Sequence, residues 1–137
     1  MRRLSIVTTC LLVASMAVAV RAAEKPPADY QKAMKDLGGA MGALSKPGAS
    51  EDFALAKTQG QAAKEAFAVV VKFWSAKGTT DAVKLAETGG KAVSDLLVSA
   101  DLSSTEGIQA AMKDMGATCA ACHMAHREKT ADGFEIK

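Results

Sequence analysis

Aromatic side chains are scarce in this chain: 137 residues include four Phe, one Tyr and one Trp. Alanine and glycine are abundant instead, so its helices can pack closely but leave little bulk between them, room that a large planar group could fill. An excess of positive charge is missing too. The formal charge is +2, and that excess resides in the first residues. Removing Arg2, Arg3 and Arg21 takes Lys plus Arg from 17 to 14 against 15 acids, and the charge from +2 to −1. Without a basic face, nucleic-acid binding is excluded as a function class. Alternation of apolar and polar residues with period two is absent over any useful length, which leaves no expected strand. Paired carboxylates and an activated nucleophile are absent as well, so an enzyme is not expected.

The first residues form an export signal. Arg2 and Arg3 precede an uncharged, largely apolar run from Leu4 to Val20, and small residues follow at Ala17, Ala19, Ala22 and Ala23. This is the layout of a secretory signal peptide, residues 1–22, with cleavage after Ala19 or Ala22. An uncleaved membrane anchor is the alternative, although the run is at the short end of the roughly 17–25 residues that span a bilayer. The paired arginines lack the wider pattern of a folded-export signal, so the chain is expected to cross unfolded. Cys10 leaves with the leader. The remaining residues, 23–137, are enough for one domain with one core and not for two.

Apolar residues in this domain recur by threes and fours in four stretches. Tyr30, Met34, Leu37, Met41 and Leu44 place a helix over about Ala28–Leu44. Pro47 and Gly48 break it, and Ser50 is positioned to cap the next. The second helix carries Phe53, Ala56, Gly60, Ala63, Phe67, Val70 and Trp74 and stops at Gly78. Thr80 opens a third with Ala82, Ala86, Gly89, Val93, Leu96 and Ala100 on one face. Ser103 and Glu106 have the spacing of a capping box for the fourth. That helix carries Ile108, Met112, Met115, Cys119, Cys122 and His126 and is expected to end near Lys129, leaving "TADGFEIK" as a polar tail. Four such helices joined by short loops make an all-α, antiparallel up-down four-helix bundle the expected fold. Each mid-helix glycine costs up to ~1 kcal/mol against alanine, which points to close approach of either another helix or a ligand.

The informative stretch is "MGATCAACHMAHREK", Met115 to Lys129. Two cysteines three apart, followed at once by a histidine, suit a redox dithiol, half of a zinc site or covalent haem attachment. Zinc needs four converging ligands. Cys119, Cys122, His123 and His126 fan over about two turns of one helix and cannot converge. A thioredoxin-like dithiol opens a helix in a strand-rich fold, whereas this pair is late in a long helix. Haem attachment fits each feature. Two thiols at this spacing reach the two vinyl groups on the porphyrin edge, and the following His123 lies beneath the iron as an axial ligand. Attachment outside the cytoplasm also agrees with the leader.

On these residues the chain resembles the cytochrome c-prime superfamily, whose helical bundle carries Cys-x-x-Cys-His near the C-terminus. "GATCAACHMAHR" is similar to the family's Gly-x-x-Cys-x-x-Cys-His-x-x-x-Arg stretch, with Gly116 and Arg127 at the glycine and arginine positions. "YQKAMKDLGGAMGAL" resembles its first-helix pattern, with Met34 at the position facing the distal side of the haem. The middle of the chain, around Phe73–Trp74, matches only loosely. The resemblance implies one covalent haem c per chain and a periplasmic location. It also implies the low-spin branch, in which a methionine fills the sixth position and the protein carries single electrons between redox partner proteins. The family's other branch leaves the iron five-coordinate and binds small gases such as nitric oxide or carbon monoxide, and this is the alternative.

The expected site is therefore Cys119 and Cys122 as cofactor anchors, with His123 and Met34 as iron ligands. Thioether sulfur is a soft ligand that favours ferrous iron, yet a methionine on an apolar stripe is also ordinary core filling, and Met41 is the second candidate. His126, one turn from His123 on the same helix, cannot reach the opposite haem face and reads as a partly exposed surface histidine. Arg127 suits either a haem propionate or solvent. Lys32, Lys35, Lys113 and Lys129 suit a partner-docking face or ordinary wet helix surface. Family members dimerise through their first two helices, and Gly38 and Gly42 fit either a dimer seam or a haem wall.

Overall fold

The computed structural model describes residues 23–137. The expected signal peptide, 1–22, and Cys10 lie outside the described residues. Among the described residues no helix is long and apolar enough to cross a membrane. Four helices pack against one another: α1 (Ala28–Leu44), α2 (Phe53–Lys77), α3 (Thr80–Asp101) and α4 (Thr105–His126). A 3₁₀ turn at Ala49–Glu51 follows α1, and two short strands, β1 (Arg127–Thr130) and β2 (Gly133–Ile136), follow α4. The most extensive packing joins α2 to α3, α3 to α4, and α1 to α2.

The helix ends follow local chemistry, with three shifts from expectation. Asp52, not Ser50, caps α2 by accepting from the amide of Leu55 at 2.9 Å. Ser50 is absorbed into the preceding 3₁₀ turn. Gly78 ends α2 at φ +69, the left-handed position that glycine adopts without steric cost. Thr79, not Thr80, stands at the N-cap of α3, and its side chain makes no capping bond. Ser104, not Ser103, caps α4 by accepting from the amide of Gly107 at 3.1 Å. Ser103 instead turns the chain, at φ +53.

The expected polar tail is a hairpin. Arg127 pairs with Ile136 and Thr130 with Gly133 across an antiparallel ladder. Helix α4 therefore stops at His126, short of Lys129. Gly133, at φ +137, makes the tight reversal after Asp132. Ile136 is buried and joins the main core with Tyr30 and Trp74. Its backbone also exchanges two 2.9 Å hydrogen bonds with Glu24, tying the two ends of the described chain together.

The core lies in two parts. The larger gathers Tyr30, Leu37, Phe67, Val70, Trp74, Val93 and Met115 with many alanines, and the smaller gathers Leu44, Leu96, Ala100 and Ile108 toward the other end. Two glycines are explained by helix contact. A Cβ at Gly60 would come within 2.7 Å of Leu97, and one at Gly89 would strike the Phe67 ring. Gly38 differs, having no atom within 4 Å of where its Cβ would stand.

Candidate functional site

One cavity of about 580 Å³ opens among all four helices and the hairpin. It falls in the range of roughly 300–1,000 Å³ typical of small-molecule sites. The 3.6-residue repeat of α1 puts Met34, Gly38 and Met41 on the wall of this cavity. The same helix turns Ala33, Leu37, Ala40 and Leu44 into the core. The apolar stripe expected on α1 is thus two stripes, one packed and one facing open space. Helix α4 presents Cys119, Cys122 and His123 to the same cavity. Phe67 and Val70 of α2 and Leu85 of α3 supply further apolar wall.

The structure therefore brings together every residue expected at the site: Met34, Cys119, Cys122 and His123, with Met41 beside them. All five are half-buried. Both cysteines are free thiols. Burial pushes the Cys119 thiol up, and the Cys122 thiol rises for the same reason, reinforced by the charges of Cys119 and Asp81. A redox dithiol needs the opposite, a thiol acidified by a helix N-terminus or a cation. Burial, and after it the Arg127 guanidinium, pushes His123 down, favouring the neutral imidazole whose lone pair can bind a metal. Tyr30, at the same cavity, is pushed up to about 12 by burial and the neighbouring Cys122.

Among the described residues no three His, Cys, Asp or Glu side chains converge as a metal-ion cluster. A haem group would suit this lining, which has apolar walls, the His123 imidazole and two thiols from α4, and the Met34 and Met41 thioethers from α1. Cys119 and Cys122 would hold it, His123 would ligate it, and Met34 or Met41 could reach it from α1.

Two residues stand differently from expectation. His126 is no surface histidine. Its side chain is 12% exposed, its Nε2 bonds to Asp81 Oδ2 at 2.8 Å, and its ring packs at a tilt against Trp74, centroids 5.0 Å apart. Asp81, at the start of α3, is a partner that sequence spacing gave no means of finding. Burial draws the Asp81 carboxyl up, but the charge and hydrogen bond of His126 outweigh this and hold it below the usual range. Arg127 is not on α4. It is the first residue of β1, with its guanidinium 4.1 Å from the centre of the Phe134 ring. Of the dispersed lysines, Lys35 lines the cavity and Lys32 pairs with Asp36 at 2.6 Å. Lys113 and Lys129 are exposed.

The sequence reading missed the hairpin's share of the site. Phe134 and Ile136 line the cavity, as do Lys25 and Pro26 from the segment before α1. The available signal was Asp-Gly at 132–133, a turn pair flanked by the alternation Phe134, Glu135, Ile136, Lys137. No family model, curated protein or solved structure matches the chain.

Proposed function

We propose that this chain is an exported, monohaem c-type cytochrome that carries single electrons between periplasmic redox partner proteins. In this reading the four helices form an antiparallel up-down bundle with haem c held through thioether bonds at Cys119 and Cys122. The observation that carries it is the single cavity shared by Met34 of α1 and by Cys119, Cys122 and His123 of α4. Haem held by Cys119 and Cys122, with His123 and Met34 as its ligands, would supply reversible one-electron chemistry.

The chain's own residues define the rest. His123, kept neutral by burial, supplies an imidazole nitrogen without first losing a proton. Met34 lines the cavity from α1, a different helix from the one that carries His123. Phe67, Val70 and Leu37 exclude water from the walls, lowering the cost of a change in charge within.

The test is the absorption spectrum of protein produced in a bacterium able to attach haem. A Soret band with a low-spin, six-coordinate pattern is expected, and Met34→Ala should turn it high-spin. A colourless protein would overturn the cytochrome reading. An unchanged spectrum in Met34→Ala would remove Met34 as ligand and bring Met41→Ala forward as the next variant. A second reading, a five-coordinate gas-binding cytochrome, is favoured by the free space at Gly38 on the α1 wall. Ready binding of carbon monoxide by the reduced wild-type protein would decide for it.

A further inference from the structure

We infer that the two ends of the domain form one strap along one side of the cavity, and that parting of this strap widens the way into it. The N-terminal half of the strap is the segment before α1, where Lys25 and Pro26 line the cavity. The C-terminal half is the β1–β2 hairpin, which contributes Phe134, Gly133 and Ile136 to the same wall. The halves meet where Glu24 and Ile136 exchange both backbone hydrogen bonds, each 2.9 Å. Further ties hold the strap to the bundle. Glu24 pairs with Lys77 at the end of α2, Gln31 Nε2 of α1 donates to the Pro26 carbonyl at 2.6 Å, the amide of Lys137 donates to the His126 carbonyl at 3.2 Å, and the Ile136 side chain is buried in the core.

Set against this, the hairpin carries a built-in weakness. Glu128 is directly opposite Glu135 across the ladder, and like charges so placed oppose pairing. Two-stranded hairpins are marginal on their own in water, and this one leans on a single buried side chain. Lys77 balances the Glu24 charge, but both partners keep contact with solvent, so that pair contributes little. The strap is thus held far more weakly than the four helices beneath it. It belongs to the low-stability class of elements that open locally while the rest of the fold stays intact. Because the strap lines the cavity together with Cys122, His123 and His126, and Lys137 at its end is tied to His126, its opening widens access to these residues.

The inference rests on the cytochrome reading only for what fills the cavity in the mature protein, so it is tested without haem. The full chain carries Cys119→Ser and Cys122→Ser to prevent attachment, with Glu24→Cys and Ile136→Cys to lock the strap. A hydrogen-bonded antiparallel pair has a Cα separation of about 5.5 Å, inside the roughly 4.4–6.8 Å that a disulfide spans. The probe is anilinonaphthalene sulfonate, an apolar dye followed by stopped-flow fluorescence. Oxidation should slow its association about tenfold and reductant should restore it. Equal rates in the two states, no dye binding in either, or failure of the disulfide to form each overturn the inference. Should the cysteine pair abolish the helical circular dichroism, Ile136→Asp in the same background decides: faster association supports the strap, and an unchanged rate sinks it. A missing Soret band in the wild-type protein would count against the cytochrome reading and leave this result standing.

Discussion

At the scale of single residues, identical residue types do opposite work according to what lies across from them. Gly89 and Gly39 are both mid-helix glycines, each costing about 1 kcal/mol relative to alanine. At Gly89 the space for a Cβ is taken by the ring of Phe67, a buried side chain. Gly39 is exposed, with nothing within 4 Å of a Cβ position. Gly89→Ala is therefore expected to destabilise by about 1–3 kcal/mol through overpacking. Gly39→Ala should stabilise by roughly 0.5–1 kcal/mol through helix propensity alone. Urea denaturation of the two variants measures both, and a loss of stability in each would show that Gly39 also faces a close neighbour. The methionines of α1 make the same point. Met34 and Met41 recur at the spacing of a packed stripe, yet they are only partly buried and line the cavity, while Ala33 and Ala40 take the core beside them.

Elements depend on their boundaries, and there a shift of one residue changes the chemistry. At the α3–α4 turn, Ser103 and Ser104 are chemically the same, but Ser104 accepts a hydrogen bond from Gly107 and Ser103 takes a left-handed backbone conformation. Ser104→Ala should cost about 1 kcal/mol, the value of an N-cap. Ser103→Ala loses no cap, and Ser103→Gly should stabilise by roughly 0.4–1 kcal/mol, because glycine tolerates positive φ. Thermal unfolding of the three variants separates the roles, and a larger loss at Ser103→Ala would return the cap to Ser103. All four helices were legible in the sequence because each spans several turns of periodic apolar residues bounded by breakers. The hairpin was not. Its strands have four residues each, too few for period-two alternation to rise above chance, and its anchor is a single isoleucine whose burial depends on Tyr30 and Trp74, far away in sequence. The site followed the same division. Residues carried by the Cys-x-x-Cys-His motif and by the α1 stripe could be named in advance. The walls from Phe67, Leu85 and Phe134 could not, since they come from elements whose pairing no local pattern encodes.

For the molecule as a whole, the cavity end is held by ties between segments remote in the chain. Glu24 reaches Lys77, Glu24 reaches Ile136, and Asp81 reaches His126 across 45 residues. The last of these fastens the start of α3 to the final turn of α4, the helix that carries the cysteine motif, and pH addresses it through Asp81. The Asp81 carboxyl is held below its ordinary value in the folded state. The unfolded chain therefore takes up its proton first as pH falls, and folding stability drops with it. The contribution is fully present above the ordinary carboxyl value, about 3.9, and is lost as pH falls through the lowered folded value. Asp81→Asn cannot ionise and has no such dependence. At pH 5 the variant is expected to unfold at lower urea concentration than the wild type. As the pH is taken below 4 the two midpoints should draw together, and they should meet once Asp81 is protonated in both states. A gap between the midpoints that stays constant from pH 5 to pH 2 would mean that the side chain acts through hydrogen bonding alone. Because the pair secures the α4 terminus rather than the core, the acid loss should also appear locally, as lower protection against amide hydrogen exchange, relative to the intrinsic rate at each pH, in the last turn of α4 before the helices themselves unfold.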